Sequence, residues 1–129
     1  MIYSYEDTIP INTPKASMRR TVMKLTPGII HQVEIQFPIG CAGLAHCVIK
    51  DNITQIWPSS PNYDFSADGF VISFREDYEI KYEPWELYMN TWNTSTDYEH
   101  TITVRLGLLP TASFLNRLLP DMLKLYIGI

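Results

Sequence analysis

Long hydrophobic runs are missing from this sequence: no stretch approaches the roughly 18 consecutive apolar residues that a membrane-spanning helix needs, and no membrane span is expected. Positive charge is also scarce. Ten Lys and Arg stand against 14 Asp and Glu, giving a net charge of −4, and a protein that neutralises nucleic-acid phosphates needs the opposite balance. Arg19, Arg20 and Lys24 form only a small basic cluster, so no nucleic-acid partner is expected. There are two cysteines, Cys41 and Cys47, and nothing around them demands pairing; both are expected to be reduced, with a short-loop hairpin disulfide as the alternative. The opening "MIYSYEDTIPINTP" has no positive segment followed by an apolar run, so no secretory signal is read there. Phosphate-cradling glycine loops, a G-x-S-x-G elbow and βαβ alternation are absent, which excludes the common nucleotide-binding and hydrolase scaffolds.

What remains is apolar and rich in β-forming residues. At 129 residues, 46% apolar and only 19% charged, the chain fits one globular domain. Seven or eight short strand patterns recur at turn-punctuated intervals. "IIHQVEIQF" sets Ile29, Val33, Ile35 and Phe37 against Gln32, Glu34 and Gln36. "LAHCVIK" is its expected hairpin partner across "PIGCAG". "WELYMNTW" and "YEHTITVRLGLL" are expected to form a second hairpin, with Tyr98, Ile102, Val104, Leu106 and Leu108 on one face. "EDYEIKYEP" reads as irregular or edge-like. The fold class is therefore all-β: a single antiparallel β-sandwich, jelly-roll-like, over residues 18–110.

Two flanks complete the expected layout. Residues 1–17 contain Pro10 and Pro14, which disfavour helix and central strand, and they read as an extended or edge-lying arm carrying Tyr3 and Tyr5. In 111–129, Phe114, Leu115, Leu118, Leu119, Met122, Leu123 and Tyr126 recur at intervals of three and four between Asn116, Arg117, Asp121 and Lys124. That periodicity predicts an amphipathic helical tail, divided or kinked at Pro120. These apolar residues, with Tyr3 and Tyr5, are the candidate partner contacts.

Other chemistry is thinner. His31, His46 and His100 would bind a metal if they converged, but their spacing carries no metal signature, and satisfied histidines are the favoured reading. The carboxylates between Asp64 and Glu86, including "DFSADG", lack the ligand order of a calcium loop and read as a solvated edge. His46 and Cys47 point to opposite faces of one strand and cannot cooperate. No catalytic residue and no cofactor is expected. Trp57, Trp85 and Trp92, with Tyr63, Phe65, Tyr78, Tyr82 and Tyr88, form either a platform for sugar rings, the alternative function, or a core or protein interface, which is favoured.

The stretch "HQVEIQFPIGCAGLAHCVI", with "IWPSSP" and "WNTSTDYEHTITVRLGLLP", resembles small β-sandwich proteins encoded in phage and prophage-like structural gene sets. The likeness spans roughly residues 26–110 and lies in the P-x-G turn, the "IWP" strand end and the expected "WN…H" hairpin. It implies a non-enzymatic component of a virion: a capsid cement or decoration protein, or a small neck or tail protein. Such a protein acts in the virion or cytoplasm and binds copies of itself or a larger protein shell.

Overall fold

The computed structural model describes residues 1–110, and the expected helical tail lies outside them. Eight strands occur in chain order: β1 (Ile2–Ile9), β2 (Arg19–Lys24), β3 (Gly28–Phe37), β4 (Ala45–Asp51), β5 (Thr54–Trp57), β6 (Phe70–Ile80), β7 (Glu86–Asn93) and β8 (His100–Pro110). A single 3-10 turn, Lys15–Ser17, separates β1 from β2. The strands form two antiparallel four-stranded sheets, ordered β1-β8-β3-β6 and β2-β7-β4-β5. This is the jelly-roll arrangement expected from the strand count and spacing.

The hairpins differ from expectation. β3 and β4 lie in opposite sheets, as do β7 and β8, and among the described residues β4–β5 is the only consecutive pair that shares a sheet. Residues 38–44 and 94–99 are long enough to step across the roughly 10 Å between packed sheets, and alternation reports which face a residue occupies without reporting its strand's partner. Residues 2–9 are also more than an arm. β1 pairs in unbroken register with β8, from Ile2↔Gly107 to Ile9↔His100, so the sandwich begins before residue 18. Its inward positions are Tyr3, Tyr5, Asp7 and Ile9, a row too polar to announce a core strand. β6 continues as one strand to Ile80 along a sheet edge, where Arg75, Glu76, Asp77 and Glu79 discourage pairing with other chains.

The core lies between the sheets. Ile30, Val33, Ile35 and Phe37 from β3, Ile102, Val104, Leu106 and Leu108 from β8, Cys47 and Ile49 from β4, and Leu87 and Met89 from β7 are all buried. A bulge between Ile30 and Gln32 shifts the register of β3 against both neighbours. It makes Ile30 the buried residue and turns His31 outward, correcting the alternation read from Ile29. Gly28 has an ordinary φ but a crowded position: an added Cβ would stand 2.5 Å from the carbonyl oxygen of Leu109 and 2.6 Å from Leu108 Cδ2. Because backbone must move to relieve that clash, Gly28→Ala is expected to destabilise the fold by about 1–3 kcal/mol. A urea midpoint unchanged from wild type would refute this.

Both open sides of the sandwich are sealed. On one, Tyr3 Oη and Thr26 Oγ1 share a hydrogen bond of 3.1 Å, Tyr5 Oη donates to the carbonyl of Lys24, and Arg19 forms a two-pronged pair with Asp7 at 2.9 and 3.0 Å. On the other, Trp57 meets Phe74 and Tyr78 edge-on at 5.9 and 5.7 Å, Phe65 stacks on Phe74, and Tyr78 Oη donates to Asp51 at 2.5 Å. Burial, the hydrogen bond to Asp51 and the charge of that carboxylate together push the Tyr78 phenol up to about 12. Its contribution to stability is complete below about pH 10, the ordinary tyrosine value, and is lost as pH rises through the folded value.

Candidate interaction surface

The two arm residues among the expected partner contacts are used internally. Tyr3 and Tyr5 are half-buried against the core, and their hydroxyls close the β1–β2 side. Phe114, Leu115, Leu118, Leu119, Met122, Leu123 and Tyr126 lie outside the described residues.

The three histidines do not meet. His31 sits on the bulge of β3 beside Gly107. His46 is on β4 in the other sheet, and His100 is buried at the start of β8. Among the described residues no group of three His, Cys, Asp or Glu side chains is placed to hold a metal. His46 is instead part of a packed surface: its Nδ1 lies 2.7 Å from Asp64 Oδ1, its ring stacks on Trp92 at 5.1 Å with the planes 9° apart, and the Lys15 ammonium lies 5.4 Å from the Trp92 ring centroid. Asp68 Oδ1 accepts the backbone N–H of Gly40 at 2.7 Å. Asp64 and Asp68, offered as an acidic calcium-like loop, thus fasten that loop to its neighbours.

Both cysteines are free and buried. Burial, reinforced by the charge of Asp68, pushes the Cys41 thiol up. Burial and the charges of Asp64 and Asp7 push up Cys47. Native protein is expected to react with an aromatic disulfide reagent on the order of 100-fold more slowly than a free thiol, with both groups released on unfolding. Rapid labelling of either cysteine in the native state would contradict this.

The aromatic residues are divided. Trp57 and Trp92 are only 3% and 4% exposed, which removes the coplanar exposed pair on which the sugar-platform reading depended. Trp85, by contrast, is 36% exposed and Tyr82 is 80% exposed.

Exposed apolar side chains gather at the two ends of the sandwich. At one end, Ile39 is 90% exposed in the "PIG" turn next to Phe70, which is 62% exposed. That turn is held by Asp68 at Gly40 and by the Gly69 N–H to Pro38 carbonyl hydrogen bond of 3.1 Å. Holding the turn presents Ile39 on a firm base. At the other end, Ile2, Leu109, Tyr82 and Trp85 are exposed, and Tyr82 and Trp85 line two adjoining clefts. One, about 270 Å³, is lined by Asp51, Lys81, Tyr82 and Glu83. The other, about 660 Å³, has Leu25, Pro84 and Trp85 in its lining, with the charged groups of Lys24 and Glu86 beside them. The clefts share Glu83, Pro84 and Glu86. The Leu25 N–H donates to the Trp85 carbonyl at 2.8 Å, tying the 81–85 turn to the β2–β3 link.

No protein-family model, curated protein or solved structure matches the chain. The described candidate surface is one of exposed apolar side chains and clefts at the sandwich ends. Of these residues, Tyr82 and Trp85 belong to the aromatic set legible in the sequence, whereas Ile39 lies in a Pro- and Gly-containing turn outside the strand patterns. An isoleucine between Pro38 and Gly40 was the available signal, since turns are otherwise dominated by polar and small residues.

Proposed function

We propose that this protein is a non-enzymatic structural protein that assembles with copies of itself or onto a larger protein shell. The class of component is a capsid cement or decoration protein, or a small neck or tail protein of a virion. The observation that carries the reading is the clustering of exposed apolar side chains at both ends of a sandwich whose two sides are closed by its own residues. A protein with its core complete and its ends apolar gains most by covering those ends with other protein. The tail pattern of 111–129 supplies a matching amphipathic element of the kind that docks into apolar grooves.

Light scattering on the full chain is expected to give a defined oligomer. The double substitution Leu118→Asp and Leu123→Asp is expected to give a folded monomer. If both proteins are monomers at every concentration, and neither associates with a shell protein of its own gene set, the assembly reading fails.

A further inference from the structure

The tail begins beside one end of the sandwich, and that end has the surface to receive it. Gly28 pairs with Pro110 on one side and with Ile80 on the other, so the ends of β8 and β6 stand two strand spacings apart, about 10 Å. Ile80 lines the smaller cleft. Four residues separate Pro110 from Phe114, a span of up to about 14 Å, so the clefts lie within the tether length available to the first apolar residues of the tail. The opposite end, with Ile39 and Phe70, lies the ten-residue length of β3 away, about 30 Å, beyond the reach of Phe114 and Leu115.

Chemistry agrees with position. Leu25, Pro84 and Trp85 offer an apolar surface, surrounded by three carboxylates, Asp51, Glu83 and Glu86, and two ammonium groups, Lys24 and Lys81. The tail reverses that balance, with Arg117 and Lys124 against Asp121, and places them between leucines. Opposite charge around matched apolar surface sets register more than it adds affinity.

We propose that the surface around the Lys81–Trp85 turn is the seat of the chain's own segment 111–129. This deepens the assembly reading and rests on its view of the tail as a docking element; exchange of the seat between copies is what links subunits.

Hydrogen exchange on the full chain tests the seat. In the wild type, amides of 111–129 are expected to exchange at least about 10-fold more slowly than in the same segment as a free peptide. Glu83→Lys and Trp85→Ser are each expected to speed that exchange at least about threefold while the amides of β3 and β8 stay protected. If Trp85→Ser loosens the core, Glu83→Lys, at an exposed position, decides alone. Free-peptide exchange in the wild type overturns the proposal, as does protection that Glu83→Lys leaves unchanged. The solution mass judges the assembly reading separately: a monomer with a protected, Glu83-sensitive tail keeps the seat and loses the assembly, and an oligomer with an unprotected tail does the reverse.

Discussion

Trp57→Ala is expected to lower the stability of the fold by about 3–5 kcal/mol, the usual range for deleting a buried large aromatic. Trp57 ends β5, a strand of only four residues at a sheet edge. It is held there by pairing with Ile49 and by edge-on contacts with Phe74 and Tyr78 of the opposite sheet. The ring therefore joins the two sheets across their open side, and its loss leaves a void that a short edge strand cannot refill. Against a total stability of roughly 5–15 kcal/mol, that loss is a large share. Urea unfolding checks it through a lowered midpoint at unchanged slope, and Trp57→Phe should recover more than half of the deficit. A loss below about 1 kcal/mol would mean that this side is held mainly by Phe65, Phe74 and Tyr78.

Arg19→Ala is expected to cost about 2–3 kcal/mol at neutral pH, below the 3–5 kcal/mol of a wholly buried pair because the Arg19 side chain is 45% exposed and solvent screens it. Asp7 is the enclosed partner, with its side chain only 9% exposed. Burial works to raise its carboxyl, but the hydrogen bonds from Arg19 and Thr91 and the guanidinium charge outweigh that and hold it below the ordinary carboxylate range. The sign follows from linkage. A carboxyl whose folded value is depressed contributes stability that is present above its unfolded value, about 3.9, and is lost as pH falls through the folded value. Removing Arg19 leaves burial dominant, so the gap between variant and wild type should be widest near pH 7 and narrow toward pH 4. Denaturation midpoints of both proteins at the two pH values provide the check. A gap that stays constant with pH would show that Arg19 acts through packing of its stem and not through its charge.

Much of the fold was legible in the chain. β8 alternates so regularly from His100 to Leu106 that its inward face could be read residue by residue, and Ile102, Val104 and Leu106 are buried as read. The turn at Gly69, with φ of +57°, was also legible, because a glycine closing a turn-rich loop is suited to positive φ. β1 was not. Its inward tyrosines and Asp7 are stabilised by Thr26, Lys24 and Arg19 from the following segment, and that support has no local signature. The alternation through Ile29, Val33, Ile35 and Phe37 would put His31 inward, whereas it faces outward, because a bulge adds a residue without leaving a mark in the alternation. For Trp57 and Trp92 an enclosed or interface ring was the favoured reading, but strand-end position is the same for an exposed platform and does not by itself decide between them.

The sequence alone determined that this is an all-β protein, where most of its strands lie, that the alternating residues of β8 from Ile102 to Leu106 face inward, and that its last nineteen residues carry an amphipathic pattern. Those properties depend on a periodicity of two or three to four residues, which is local and survives without knowledge of partners. Only the tertiary structure decided which strands share a sheet, that the first strand belongs to the sandwich, that two of the three tryptophans are enclosed, and that the exposed apolar residues lie at its two ends. Those depend on contacts between residues as far apart as Ile2 and Gly107. Such pairing is chosen by the free energy of closing a whole core, a sum over both sheets that no single segment records.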